Sequence, residues 1–378
     1  MKRKRIIALI LIVLVAVMII DFRVNNEDVI ADYFMQFETE SMQNITGISS
    51  INYDRDNPAA VRKSNLNYRT KEEIKSFNLD NEMGSIDIKG HDGDQIEVDY
   101  EIKIYSNDKE AASRYINQIE VNYEVSNGNF NLYVNRPEKP DNIRGIEVLF
   151  DIKAPRDLYL DLANRYGEVE INSFDSGLNL SARYNITTVN FVKGDIEINN
   201  DYGSLYLSDL NGNLNIDTSY NKNEFRNLEG RLNFNTQYTQ SNLININADT
   251  VINGRYGGVN IDGLEGSLDI DTRYTGMTLD EIKGPIRGNL EYGDVNIESL
   301  SNELDISSRY SDLKIWMTKD YNNLDVDVTT RYGDLSSDLD LPITSEDSRE
   351  MISGTIGTGE IPLRIDSSYA DVELIYEN

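Results

Sequence analysis

Tyrosine returns every 18 residues without a slip, at Tyr166, Tyr184, Tyr202, Tyr220, Tyr238, Tyr256, Tyr274, Tyr292 and Tyr310. A unit that short cannot bury an apolar face of its own, so its copies must stack on one another. The copy RYGGVNIDGLEGSLDIDTRY shows the layout. Counted from Tyr256, apolar residues fall at +3, +5 and +8 (Val259, Ile261, Leu264), and glycine at +10 (Gly266). Leu268, Ile270 and Thr272 then occupy +12, +14 and +16. The copy at Tyr202 repeats this with Leu205, Leu207, Leu210, Gly212, Leu214, Ile216 and Thr218.

A period of two within each half is the strand period, and helical spacing is absent. The intervening positions are polar: Asn215, Asn233 and Asp269 at +13, and Asp217, Asn235 and Asp271 at +15. Each repeat therefore reads as two short strands and two turns. The predicted fold is all-β, a single-stranded parallel β-solenoid with 18-residue coils. Like positions then lie above one another at about 4.8 Å.

Positions +12 to +18 share parity, which places the tyrosine on the inward face and the corner just after it. Glycine follows at Gly167, Gly203, Gly257, Gly293 and Gly333, as a corner with unusual dihedrals requires. A second corner is expected between +7 and +10. The expected structural ladder comprises the nine tyrosines with Tyr332 and Tyr369, stacked and inward. The alternative is that the rings are exposed platforms for sugars. Arg165, Arg183, Arg255, Arg273, Arg309 and Arg331 precede ladder tyrosines with outward parity, placed to pair with carboxylates of neighbouring coils.

The chain opens with Lys2, Arg3, Lys4 and Arg5, followed by fifteen apolar residues from Ile6 to Ile20. This predicts one N-terminal transmembrane helix, an uncleaved signal anchor with its basic end in the cytoplasm. A cleaved signal peptide is the alternative. The expected organisation is a cytoplasmic tail (1–5), an anchor (6–22) and a juxtamembrane linker with a short helix (23–73). Irregular solenoid coils with a capping helix in NDKEAASRYINQI, begun by Asn107 or Asp108, follow (74–165), and then the regular array (166–378). The predicted location is the bacterial cell membrane, with the bulk extracytoplasmic.

Beyond the first five residues, 32 basic residues face 65 acidic ones, within a total charge of −29. Nucleic acid is a poor partner for such a surface. Cysteine is absent, which removes disulfides, thiol nucleophiles and thiolate metal sites. The one histidine, His91, lies in the turn-like KGHDGDQ. No phosphate loop, zinc motif or nucleophile elbow occurs. No catalytic, cofactor-binding or metal-binding residue is assigned, and no cofactor is expected. The array departs from its period after Tyr310: Tyr332 comes four residues late. Trp316, at the outward position +6, is a candidate partner contact.

The segments MGSIDIKGHDGDQIEVDYEI, IEVLFDIKAPRDLYLDLANRYGEVEI and GTIGTGEIPLRIDSSYADVEL, with the repeated Tyr-Gly-x-Val-x-Ile units, resemble a bacterial family of membrane-anchored β-strand-repeat adhesins. These otherwise carry a domain of unknown function. Related toast-rack domains occur in Lia-type envelope-stress systems. The resemblance covers roughly residues 74–378 and implies a β-solenoid at the cell surface. It supplies no catalytic residues. The expected function is a non-enzymatic, adhesin-like scaffold or binding module of the envelope. Its expected partners are the membrane and an envelope polymer or protein. A regulatory subunit of an envelope-stress system and a polysaccharide lyase or hydrolase are the alternatives. The sequence leaves the oligomeric state open.

Overall fold

The computed structural model describes residues 57–70, 74–318 and 321–376. Pro58–Asn378 forms one compact unit. The expected anchor and most of the expected linker lie outside the described residues. No helix among the described residues is long and apolar enough to cross a membrane.

The architecture is all-β, with twenty-one strands in one sheet and one short helix among the described residues. Within the array the pairing is parallel and offset by one repeat. Thr250 pairs with Leu268, Gly257 with Thr275, Leu268 with Ile286 and Val295 with Leu313. Each repeat is thus one rung of a stack. The period-two rows face inward as the pattern requires: Val259, Ile261, Leu264, Leu268 and Ile270 are buried, as are Leu205, Leu207 and Leu210.

The corners differ from expectation, and the reason is backbone handedness. Tyr184, Tyr202, Tyr220, Tyr238, Tyr256, Tyr274, Tyr292 and Tyr310 all have φ between 55° and 58°. In these rungs the corner therefore lies on the tyrosine, not after it; at Tyr166 it lies after, on Gly167. A left-handed residue breaks the alternation of faces, so the ring leaves the core and the next residue turns inward. A second left-handed residue stands at +7, usually not glycine: Phe191, Asp209, Asn227, Asn245 and Glu281. The glycine at +10 makes a third corner, as at Gly212 (φ 150°).

At Gly167 the glycine itself takes the unusual dihedral (φ 136°), while at Gly203, Gly257, Gly293 and Gly333 it serves close approach instead. A Cβ on Gly203 would lie 1.9 Å from the carbonyl oxygen of Asn185 in the preceding rung. Where a rung of the array has no glycine there, a small polar side chain takes its place. Asn221 Oδ1 accepts from Gly203 N (2.6 Å) and Asn221 Nδ2 donates to Asn200 O (2.6 Å). Ser311 Oγ accepts from Gly293 N in the same way (3.0 Å).

Both ends depart from sequence order. At the N-terminal end, Ser76–His91 pairs in parallel directly with Tyr159–Phe174, Met83 opposite Tyr166. The intervening residues form a cap on its other edge. Ile143–Pro155 continues the stack in parallel, and Gln95–Ser106 pairs antiparallel with it. The helix Lys109–Ile116 is capped by Asp108, whose Oδ1 accepts from Ala111 N (2.9 Å), and it buries Ala112, Tyr115 and Ile116. Ala60–Arg69, read from sequence as linker, is a strand antiparallel to Gln95–Ser106.

At the other end the last segment in sequence is not the last rung. Ile361–Ser368 pairs in parallel with Leu304–Arg309 on one side and Leu324–Arg331 on the other. The chain passes over one rung position, builds the rung ending at Tyr332, and returns to fill the gap. The outer edge of Leu324–Arg331 is covered by the antiparallel Arg349–Thr355. Antiparallel strands at both ends cover edges that would otherwise recruit other chains.

Candidate functional site

The tyrosine ladder is continuous but lies at the surface. Ten stacked pairs join Tyr166 through Tyr310 to Tyr369 and then Tyr332, with centroids 4.8–5.2 Å apart. Tyr369 stands between Tyr310 and Tyr332, as the returning rung demands. Tyr256 is 37% exposed and Tyr332 63%, so the rings are not core. Left-handed backbone costs a residue with Cβ roughly 1–2 kcal/mol. A stacked aromatic pair returns about 0.5–1.5 kcal/mol. Stacking thus offsets most of the corner's strain. Because ring faces are used on each other, the ladder offers edges to the outside, which also argues against sugar-stacking platforms. Burial and the neighbouring phenols push Tyr220 above the usual phenol range, and the same causes act on Tyr238.

The arginines that precede ladder tyrosines point outward, as parity requires. Arg183 lies 5.3 and 5.5 Å from the ring centroids of Tyr184 and Tyr202, and Arg273 5.5 and 5.8 Å from Tyr274 and Tyr292. Arg309 sits likewise beside Tyr310. Arg273 also pairs with Glu291 of the next rung at 3.1 Å, and Arg331 with Asp366 at 2.7 Å. Arg183 and Arg273 each lean across two ring edges at once.

Beside this row runs an open trough of about 740 Å³. It is lined by positions +15 and +17 of six successive rungs, from Asn199 and Asp201 to Asn289 and Glu291. Its floor is a polar ladder: Asn253 Nδ2 donates to Asn235 Oδ1 (2.8 Å), and Asn235 Nδ2 to Asp217 Oδ1 (2.5 Å). Each bond spans one rung. Asn235 and Asn253 each use one amide donor in this ladder and have a second.

Trp316 is half-buried on the outward face. Lys314 Nζ lies 5.1 Å from its ring, and its strand partner is Ile375 of the returning segment. Tyr321, among the extra residues, is buried and donates to Asn302 O (2.6 Å). Trp316 is far from the trough in sequence position, and nothing joins the two into one site. His91 is held within its turn: Gly93 N donates to Nδ1 (2.8 Å), leaving Nε2 to donate to Gln95 O (2.9 Å). Among the described residues no group of three or more His, Asp or Glu is placed to hold a metal ion.

The trough was not singled out by sequence reasoning. Its signal was present in the recurrence of Asn and Asp at +15, which read as an ordinary solvated face.

No curated protein matches the chain. A crystal structure of a "putative cell adhesion protein" from Clostridium sporogenes ATCC 15579 is similar over 84% of this chain and 100% of its own, at 10% identity and a TM-score of 0.17. Residues 74–374 match the Toastrack DUF4097 family model, and the chain belongs to that family.

Proposed function

We propose that this protein is a non-enzymatic, membrane-anchored β-solenoid of the bacterial envelope that holds an elongated polymer along its trough. The observation that carries this reading is the trough itself, in which the same two positions recur through six rungs. A row of near-equivalent sites suits weak contacts repeated along a repeating ligand. Catalysis would instead concentrate unusual groups at one place. The Lys2–Arg5 cluster and the Ile6–Ile20 run support tethering with the bulk outside. An acidic exterior disfavours anionic polymers at low salt and makes electrostatic attachment salt-sensitive.

The test is a panel of cell-wall and capsular polysaccharides graded by length and incubated with the full chain. Affinity is expected to rise steeply with polymer length, on the order of a hundredfold between one-rung and six-rung fragments, with the polymer recovered intact. Length-independent binding, or polymer cleavage abolished by replacing a single Asp or Glu, would overturn the reading.

A further inference from the structure

Of the 23 tyrosines in the chain, eleven stand in one row. Each of these has another phenol against its ring face, with centroids 4.8–5.2 Å apart and planes within 2–21° of parallel. Every ring of the row is exposed or half-buried, so its outer edge meets solvent. Phenols elsewhere are tied to the protein: the hydroxyls of Tyr105, Tyr115, Tyr321 and Tyr376 each donate to a protein oxygen. Among the described residues no ladder hydroxyl does so. A proton leaving a ladder phenol passes directly to water.

Phenols held this way are placed for oxidative coupling. A one-electron oxidant removes an electron from the ring as the hydroxyl proton goes to water, which leaves a phenoxyl radical. Two such radicals join through the carbons beside their hydroxyls. The hydrogens on those carbons then pass as protons to the two oxygens, and the product is a biphenol. With hydrogen peroxide as terminal oxidant, acting through a peroxidase, two phenols and one peroxide give one dityrosine and two waters. Radicals on separate surface tyrosines must find each other by collision. In the ladder the partner is already held against the ring, where effective concentration is high. Ring and neighbour are the same group, so a radical exchanges along the row with no cost in driving force until it meets a second.

We propose that the tyrosine ladder is a site of oxidative cross-linking, at which neighbouring phenols couple to dityrosine and staple each rung to the next. The proposal does not depend on what the trough holds. The staple matters most at the C-terminal end, where Tyr369 lies between Tyr310 and Tyr332. There it ties the returning segment to both flanking rungs, and it closes longer chain loops than a link between rungs of the array.

The experiment treats the full chain, dilute and kept in detergent, with peroxidase and limiting hydrogen peroxide, and maps dityrosine links by mass spectrometry after digestion. Links should join ladder neighbours of the same chain, Tyr310–Tyr369 and Tyr369–Tyr332 among them, and none should join Tyr310 to Tyr332. Two variants separate adjacency from tyrosine content. Tyr184→Phe/Tyr220→Phe/Tyr256→Phe/Tyr292→Phe/Tyr369→Phe keeps the rings stacked and leaves no two ladder phenols side by side. Tyr166→Phe/Tyr184→Phe/Tyr202→Phe/Tyr220→Phe/Tyr238→Phe removes as many phenols and leaves an unbroken run from Tyr256 to Tyr332. Dityrosine should fall at least about tenfold in the first variant and only about twofold in the second. The oxidised wild-type chain should also unfold at higher denaturant concentration than the untreated one.

Equal yields from the two variants overturn the proposal, as do links that mainly join different chains or tyrosines outside the ladder, and so does a ladder that gives no dityrosine. An oxidised chain that unfolds no later than the untreated one overturns the stapling. If either variant fails to fold, the wild-type map decides alone, because links that ignore the order Tyr310, Tyr369, Tyr332 contradict the proposal.

Discussion

The array from Tyr166 to Tyr310 and the rungs beyond it are built from the same strands, yet connected by different rules. Between the two ends of the array each rung rests on the residues 18 before it and 18 after. Beyond Tyr310, Leu304–Arg309 rests on Ile361–Ser368, more than fifty residues away, while the next strand in sequence of that face lies one rung further out. The returning rung is held on both flanks by side chains specific to it. Ser308 Oγ donates to Ser367 Oγ (2.9 Å), Arg364 pairs with Asp325, and Thr330 Oγ1 donates to Ala370 O (2.9 Å). Local repetition builds the array. The C-terminal end closes only when a late segment finds a slot already formed on both sides.

The largest expected effect uses one chemical change in both regions. Ile270 and Ile365 occupy the same inward position, and each is nearly inaccessible. Aspartate at either site buries an unpaired carboxylate and should cost more than about 4 kcal/mol. The consequences should differ in extent. Ile365→Asp should release residues 324–376 to hydrogen exchange and leave the array protected, whereas Ile270→Asp should open rungs on both sides. Equal, global loss of protection in both would show that the two regions are one cooperative unit.

Next come the glycines. Gly203→Ala places a methyl 1.9 Å from a carbonyl of the rung before it and should cost roughly 3 kcal/mol or more. At Gly276 the added atom meets only Asp294 O at 3.7 Å. That substitution should be neutral or stabilise by about 0.4–1 kcal/mol. Matching melting shifts would remove close rung approach as the reason for the first glycine.

The tyrosine corner gives a smaller effect. Tyr256→Ala loses two stacked neighbours and should cost about 1–3 kcal/mol. Tyr256→Gly loses the same contacts but takes the left-handed corner without a Cβ. It should be more stable than the alanine variant by up to about 1 kcal/mol. An alanine variant equal to or better than the glycine one, by denaturant titration, would contradict the left-handed assignment.

The smallest effect is in pH. Tyr220 and Tyr238 titrate above their unfolded value. A phenol held protonated by the fold contributes stability that is fully present below about pH 10 and is lost as pH rises through its folded value. The melting temperature should therefore decline across that alkaline window as tyrosinate absorbance grows. Ionisation of Tyr220 and Tyr238 below pH 10 would contradict their stacked, partly buried environment.

The array was legible because strand alternation and the period are both local: Leu268, Ile270 and Thr272 announce their face within five residues. The tyrosine was misplaced because parity assumes unbroken extended backbone. One left-handed residue reverses every face after it, and no residue type forces such a residue at tyrosine. The alternation of glycine with Asn221 and Ser311 after the ring carried that information, since each accepts from the amide of the glycine one rung before it. The returning rung was illegible for a different reason. Tyr369 is in phase with the repeat wherever it docks, so the pattern fixes its face and says nothing of its neighbours.

The most direct test of the out-of-order rung uses the absence of cysteine in the chain. Ser308 pairs with Ser367, and Ser367 with Thr330. Neighbouring rungs are about 4.8 Å apart, within disulfide reach, while alternate rungs at about 9.6 Å exceed it. Under mild oxidation, Ser308→Cys/Ser367→Cys should close an intramolecular disulfide and Ser308→Cys/Thr330→Cys should not. A disulfide in the second variant and none in the first would place the rungs in sequence order and contradict the account.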